Sequence, residues 1–552
     1  MKRTVLLTII LLALVAGCSK DEGIPPDSEK QDKGTVISLT ARMPNEEQDT
    51  PATRVALEQD NLNIKTTWEA GDKIYLVFAQ SGTAKGKQIV TLAADDITDA
   101  GKIAHFSITV PSEISSEIFD LYGVHGVTGF TSEESYEVSL SDAPWSGTLT
   151  QVQNKDVAML RFATTGISKA NSSASVTFAH LGSLFHIKLM RSGSAALNGI
   201  TKAELVAASA IQAEQGSGSP TYNLVSDSFS GTSATGTSLP FEISSTDLTT
   251  SGTVEFWGWY PPVADQNWPG LGLKITTTGG TYLSTNGKPA RSSATAAGKA
   301  YHFYASYDGA NLNFTNSSGT VNTGYLLDSR DNNVYKTVTI GTQTWIAENL
   351  KYLSDNSGAL PEGYDVFGYT GTDVSEAKAT ENYKTYGVLY NWSAAMNGAA
   401  SSDANPSSIQ GVCPPGWHLP SVAEWTTFTN YLADNGYNYD GTTGGNKAAL
   451  AVAAADVWRS STVAGAPGNT DYPDYINKSG FSALPAGWRD KDGNYLNMGQ
   501  WCFWWTTNQN SDERAIFIRL KYDRITIDNI STDNISTGHL KANGYSVRCL
   551  KD

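Results

Sequence analysis

The chain has 552 residues, a net charge of −16 from 39 Lys and Arg against 55 Asp and Glu, and only 17% charged residues. That length is enough for three or four domains of about 150 residues each. No long Lys or Arg run is present, which argues against a nucleic-acid partner because phosphate binding needs a concentrated positive face. Ser, Thr, Gly and Asn fill the gap left by charge, a mix that suits many short strands joined by turns.

Lys2 and Arg3 precede an apolar stretch over residues 5–16. It is too short for the ~20 residues a membrane helix needs, so residues 1–17 read as a signal peptide. The stretch ends Val15-Ala16-Gly17-Cys18, which resembles the lipobox of bacterial lipoproteins. That resemblance implies an acyl chain, palmitate or similar, on Cys18 and anchoring in the outer membrane. The alternative is an ordinary cleavage site with an incidental cysteine. Ser19-Lys20-Asp21-Glu22 resembles the charged signal that sends lipoproteins of the Bacteroides type to the outer face of that membrane. Residues 18–35 are a charged, Pro-containing tether, and residues 44–54 are polar and expected to be exposed.

Strand signals follow. Lys73-Ile74-Tyr75-Leu76-Val77-Phe78 is a β-branched and aromatic run. Val176, Phe178 and His180 share a face by period two, as do Phe185, Ile187 and Leu189, with His186 and Lys188 opposite. On this pattern His180 is a core histidine. Val254, Phe256, Gly258 and Tyr260 alternate with Glu255, Trp257 and Trp259, and Tyr301, Phe303, Ala305 and Tyr307 form a further strand. Helical periods are scarce before residue 315, so two β-sandwiches are expected, over 36–190 and 191–315. Residues 313–323 look like a linker, with its core at 316–323.

Three motifs in this region carry a resemblance: Ala52-Thr53-Arg54; Trp68-Glu69-Ala70-Gly71-Asp72-Lys73-Ile74-Tyr75; and residues 176–184 (Val-Thr-Phe-Ala-His-Leu-Gly-Ser-Leu). In this order they resemble the fimbrillin-like (Mfa-like) lipoproteins of Bacteroidetes, over roughly 35–315. The resemblance implies two fimbrillin/transthyretin-like β-sandwiches and a role as pilus subunit or tip adhesin. It also implies proteolysis after an arginine, which frees a groove that a neighbouring subunit fills with a donated strand, a form of β-augmentation. Arg54 sits where that cut falls; the alternative is an ordinary loop arginine.

From residue 324 to 552 tryptophan becomes frequent and helices appear. Ser421-Val422-Ala423-Glu424 is a capping box, followed by Val422, Trp425, Phe428 and Leu432 at helical spacing, with Gly436 to close the helix. Residues 387–398 read as a second short helix. Ile516, Ile518 and Leu520 alternate with Phe517, Arg519 and Lys521, and Tyr545, Val547 and Cys549 form a closing strand, giving α+β. The motifs at 328–335, 340–350 (Ile-Gly-Thr-Gln-Thr-Trp-Ile-Ala-Glu-Asn-Leu), 386–392, 413–420 (Cys-Pro-Pro-Gly-Trp-His-Leu-Pro), 480–489 and 546–549 (Ser-Val-Arg-Cys) resemble the Fibrobacter succinogenes major paralogous domain. That resemblance implies a C-type-lectin-like fold related to formylglycine-generating enzymes. It also implies that Cys413 and Cys549 are bridged, closing a loop of roughly 135 residues, worth ~4–5 kcal/mol in the chain-entropy model. Two free thiols are the alternative.

Catalytic chemistry finds little support. The related oxidases use a pair of reactive cysteines at a copper site, and with Cys413 and Cys549 tied together only Cys502 remains. The seven histidines are scattered, and neither HExxH nor GxSxG occurs. No metal or cofactor is expected. The calcium tripeptides of C-type lectins are absent. Trp488, Arg489, Trp504 and Trp505, with Trp501, are the candidate platform for a glycan or peptide, against core packing as the simpler use of such residues. The pentapeptide at 528–532 repeats at 533–537 and is expected to be an exposed loop. The sequence therefore reads as a surface-exposed, lipid-anchored adhesion protein: a fimbrial tip or accessory subunit whose partners are other subunits by strand donation, and a glycan or host protein. The alternatives are a non-polymerising glycan-binding lipoprotein and, more remotely, an enzyme of formylglycine-generating-like fold.

Overall fold

The computed structural model describes residues 34–44, 58–60, 63–140, 145–153, 160–215, 220–230, 232–249, 252–261, 268–292, 295–354, 358–529 and 539–552. Cys18, Arg54 and most of the 528–537 repeat lie outside them. The chain is mostly β-sheet, with few and short helices.

Two sheets enclose the first core. One runs Ser173–Thr177, Val36–Arg42, Ile103–Thr109, Ile97–Thr98; the other runs Ala179–His180, Leu160–Ser168, Ile118–His125, Lys73–Gln80, Thr83–Thr91. Lys73–Gln80 lies between Ile118–His125 and Thr83–Thr91, and Ile74 to Ala79 are all buried, so both of its faces are covered. Its second face lies under a small sheet, where Tyr75 meets Phe130 edge-on at 5.6 Å. His180 lies in the short edge strand at Ala179–His180 and is half-buried, not a core residue.

The second sandwich pairs Ser146–Gly147, Thr253–Tyr260, Ser183–Arg191, Ala300–Tyr307 and Leu312–Thr315 against Ser238–Leu248, Leu197–Val206, Gly272–Thr277 and Gly280–Leu283. The sequence places the junction between sandwiches at residue 190. Hydrogen bonding instead puts Ser183–Arg191 wholly in the second sandwich, antiparallel to Thr253–Tyr260 and parallel to Ala300–Tyr307. The two sandwiches also share a sheet made of Gly129–Phe130 and Glu137–Ser139 from one and Thr221–Asn223 and Ser228–Ser230 from the other. Trp145 packs edge-on against Trp259 at 5.7 Å, and a single hydrophobic cluster runs from Ile37 to Phe314. A short α-helix, Leu149–Gln153, interrupts this β region.

Residues 313–315 are not linker. Asn313, Phe314 and Thr315 are buried strand residues, and the Asn286 side chain pins the following turn by donating to Phe314 O at 2.9 Å and Asn322 O at 2.8 Å. The C-terminal domain docks tightly after it. Val334 lies over Gly270 and Gly287, where an added Cβ would come within 2.5 and 2.6 Å of it. Glycine is required there by close approach.

The C-terminal domain has one sheet of Tyr325–Leu327, Val334–Ile340, Gln343–Ile346, Leu550–Lys551 and Trp417–His418, and a second built on the Trp501–Gln509 and Arg514–Lys521 hairpin. The helix Val422–Asp434 starts at the capping box: Ser421 Oγ accepts from Glu424 N at 3.3 Å and Glu424 Oε2 accepts from Ser421 N at 2.9 Å. The helix expected over 387–398 is shorter. Leu389–Tyr390 is a strand, and only Trp392–Met396 is helical, capped by Asn391 and ended by Asn397 in the left-handed region. The closing segment makes single bridges at Tyr545 and Ser546 rather than a continuous strand.

Candidate functional site

The first site is a slot in the first sandwich. Val36–Arg42 lies between Ile103–Thr109, antiparallel, and Ser173–Thr177, parallel. Alternation sends Ile37, Leu39, Ala41 and Met43 into the core, each at most 3% exposed. Beyond the strand ends the ladder continues, with Val110 N donating to Thr35 O, Met43 N to Lys102 O and Phe178 N to Arg42 O, each at 2.9 Å. Burying Ile37, Leu39 and Met43 stabilises the sheet by roughly 1.5–3 kcal/mol each. The strand thus fills a central position although it comes first in the chain. The residues after it, 45–57, include Arg54 and lie outside the described ones.

The second candidate, the aromatic platform, does not form as the sequence places it. Trp504 and Trp505 are buried at 1% and 0% exposure. The Trp501–Gln509 strand runs between two hydrophobic clusters, so Phe503 and Trp505 enter one and Cys502 and Trp504 enter the other. Both indoles are satisfied inside: Trp504 Nε1 donates to Asn349 Oδ1 at 3.1 Å and Trp505 Nε1 to Tyr390 O at 2.7 Å. Trp504 also stacks on Trp425 at 5.5 Å. Trp488 and Trp501 are half-buried and flank Phe503, each 5.9 Å away. Arg489 pairs with Asp365 at 3.1 Å.

The motif residues of the C-terminal domain converge on the core. Cys413 and Cys549 form a disulfide. Arg548 is fully buried and is held by carbonyl acceptors alone: Ile346 O, Phe481 O, Ser482 O and Asn349 Oδ1. Arg330 fills the Asp328 turn, bonding both carboxylate oxygens at 2.9 and 2.7 Å and lying 3.8 Å from the Tyr352 ring centroid. A guanidinium therefore occupies the place where an acidic turn of this kind would otherwise invite a cation.

His418 bridges two carboxylates, Asp552 Oδ1 at 2.7 Å and Glu424 Oε1 at 2.8 Å. Burial pulls its pKa down, but the hydrogen bonds and charges of Glu424 and Asp552 outweigh it and leave the pKa raised. The hydroxyls nearby are committed to the backbone. Ser421 Oγ caps the helix, and Ser407 Oγ donates to Leu419 O at 2.6 Å. The arrangement clamps the last residue to the helix start. The capping box was its one sequence signal, since Asp552 is 134 residues from His418. Cys502 is buried and its thiol is pushed up by that burial. With Cys413 and Cys549 bonded, no pair of free thiols lies among the described residues. Nor do three His, Cys, Asp or Glu converge there as metal ligands, and no helix there is long and apolar enough to cross a membrane.

Residues 338–551 match the Fibrobacter succinogenes major domain family. The matched residues take in the disulfide, Arg548 and the His418–Glu424 pair, while Asp552 lies just beyond them. No curated protein matches the chain. Among solved structures, a candidate cell adhesion protein from Bacteroides uniformis is similar at 18% identity, over 52% of this chain and 97% of that one, with a TM-score of 0.33. A fimbrial assembly protein from Parabacteroides distasonis is similar at 11% identity, over 55% and 98%, with a TM-score of 0.27. The tip fimbrial protein Mfa3 from Porphyromonas gingivalis is similar at 10% identity, over 51% and 98%, with a TM-score of 0.24.

Proposed function

We propose that this chain is a non-catalytic adhesion protein of the cell surface, lipid-anchored through Cys18, that assembles by strand exchange at the Val36–Arg42 slot and carries the C-terminal, lectin-like major domain outward. One observation carries the reading. The strand that completes the first sandwich lies N-terminal to Arg54 in the sequence and is held between two neighbours. A cut after Arg54 leaves it attached by its ladder and its buried side chains alone. Its departure would open a slot with ladder groups on both sides and apolar pockets at every second position. A strand from a second subunit with the same alternation refills it.

The test uses the chain from residue 19. Intact mass and light scattering are measured before and after limited trypsin treatment. Loss of residues up to Arg54 followed by ladders of multimers is expected. A chain that is cut there and stays monomeric, or that survives uncut, overturns strand exchange and leaves a monomeric surface binding protein.

A further inference from the structure

The second sandwich contains a cleft of about 460 Å³, within the ~300–1,000 Å³ typical of small-ligand sites. Its wall includes Trp268, Lys288, Arg291, Lys299, Tyr301 and His302. In a chain of net charge −16, the described residues of this lining carry three cations and no carboxylate. The strands explain the assembly. Tyr301 stands beside Phe185 in the parallel pair of strands, and Trp268 lies flat on Phe185 at 5.3 Å with the planes 2° apart. Trp268 and Arg291 pair through an antiparallel backbone bridge, and the exposed Arg291 guanidinium lies over the Tyr301 ring, 5.2 Å from its centroid, with Phe185 stacked on that ring at 5.3 Å.

Two features show that this wall is chemically incomplete. Trp268 is 3% exposed, and its indole N–H has no acceptor among the described residues; the buried Nε2 of His302 is equally without a hydrogen bond. Buried polar groups in folded proteins are ordinarily satisfied. In addition, neither Arg291 nor Lys288 has a carboxylate within ion-pair distance among the described residues. Lys288 reaches only Thr315 O at 3.4 Å and the Phe314 ring, and burial pulls its pKa down. Unmatched donors and cations without a carboxylate describe the complement of an acceptor-rich anion.

We propose that this cleft binds an acidic saccharide, its carboxylate on Arg291 and Lys288 and one of its oxygens accepting from Trp268. The guanidinium fork matches a carboxylate, and the hydroxyl-rich body of a sugar supplies acceptors for the indole N–H. A sulfated sugar shares the negative charge but not that planar fork. This site is independent of strand exchange, because it lies in the second sandwich and is present in the uncleaved chain.

The experiment is calorimetric titration of the uncleaved chain from residue 19, at low salt, with digalacturonate, neutral galactobiose and sulfated galactobiose. Digalacturonate is expected to bind with a Kd of about 1 mM or tighter. The neutral sugar should bind at least ~tenfold more weakly, and added salt should weaken the acidic one. R291Q removes an exposed side chain with no ion pair among the described residues, so the fold should survive, as its near-ultraviolet spectrum checks; binding should fall at least ~tenfold. Tighter binding of the sulfated sugar would reassign the anion to sulfate and overturn the carboxylate. Equal binding of neutral and acidic sugars, unchanged binding by R291Q, or no binding of digalacturonate by the folded chain overturns the site. R291Q leaves the trypsin-dependent assembly assay unaffected, so failure of one reading is separable from failure of the other.

Discussion

Replacing Arg548 by methionine tests what the core of the major domain depends on. The guanidinium is fully buried and bonds Phe481 O and Ser482 O at 2.8 Å, and Ile346 O and Asn349 Oδ1 at 3.1 Å. It also lies 4.5 Å from the Phe481 ring centroid and 5.9 Å from that of Trp504. Burial pulls its pKa down to about 9, so it remains a cation at neutral pH. No carboxylate is among its hydrogen-bonding partners; the charge is solvated by backbone dipoles. Methionine keeps the length and loses the donors. Asn349 keeps Trp504 as a partner, but three carbonyls are stranded, at roughly 1–3 kcal/mol each. Relief from burying the cation offsets several kcal/mol of that. The net expectation is a loss of about 2–5 kcal/mol, read as a shift in urea midpoint of the tryptophan fluorescence transition. R548K keeps the charge but not the fork, and should fall between the two. If R548M is as stable as the parent, the carbonyls find other partners and the account of this core is wrong.

Four further outcomes are expected. C413S with C549S opens a 136-residue separation and should cost up to about 4–5 kcal/mol, seen as a lower Tm that reductant reproduces in the parent. His186 is pushed down from 6.5 to about 4, chiefly by burial, against the pull of Glu255 3.5 Å away. Its stabilising effect is therefore intact above pH 6.5 and lost as pH falls toward 4, about 3 kcal/mol in all, and H186F should flatten that acid limb in thermal melts. His418 runs the other way, because its pKa is raised: its contribution is present below 6.5 and lost as pH rises through the raised value, so H418Q should remove an alkaline loss confined to the major domain. Gly270→Val drives a side chain into Val334, where even a Cβ comes within 2.5 Å; limited proteolysis near 316–323 should accelerate while each domain keeps its own melting transition.

A β-branched and aromatic run made Lys73–Gln80 legible as a strand, period-two alternation did the same for Ser183–Arg191, and the serine and glutamate three apart made the start of the Val422–Asp434 helix legible. Those signals are local: each concerns residues within a few positions of one another. The motifs of the C-terminal third were legible as a family pattern, and residues 338–551 match it. Their roles were not, because tryptophans along a strand look the same whether one face is covered or both. Only the second cluster packed against Trp501–Gln509 takes Trp504 out of reach of a ligand.

The sequence by itself determined the composition of each β-strand, the helix cap and the family pattern of the C-terminal domain, since these depend on side-chain periodicity and on groups a few bonds apart. Only the tertiary structure decided that Val36–Arg42 sits between strands 60 and 130 residues further on, that Ser183–Arg191 belongs with the second sandwich, and that Trp268, Lys288, Arg291 and Tyr301 share one cleft. Strand pairing uses backbone groups that every residue carries, so no side chain announces its partner. The pairing that wins is the one that buries the most apolar surface over the whole chain at once.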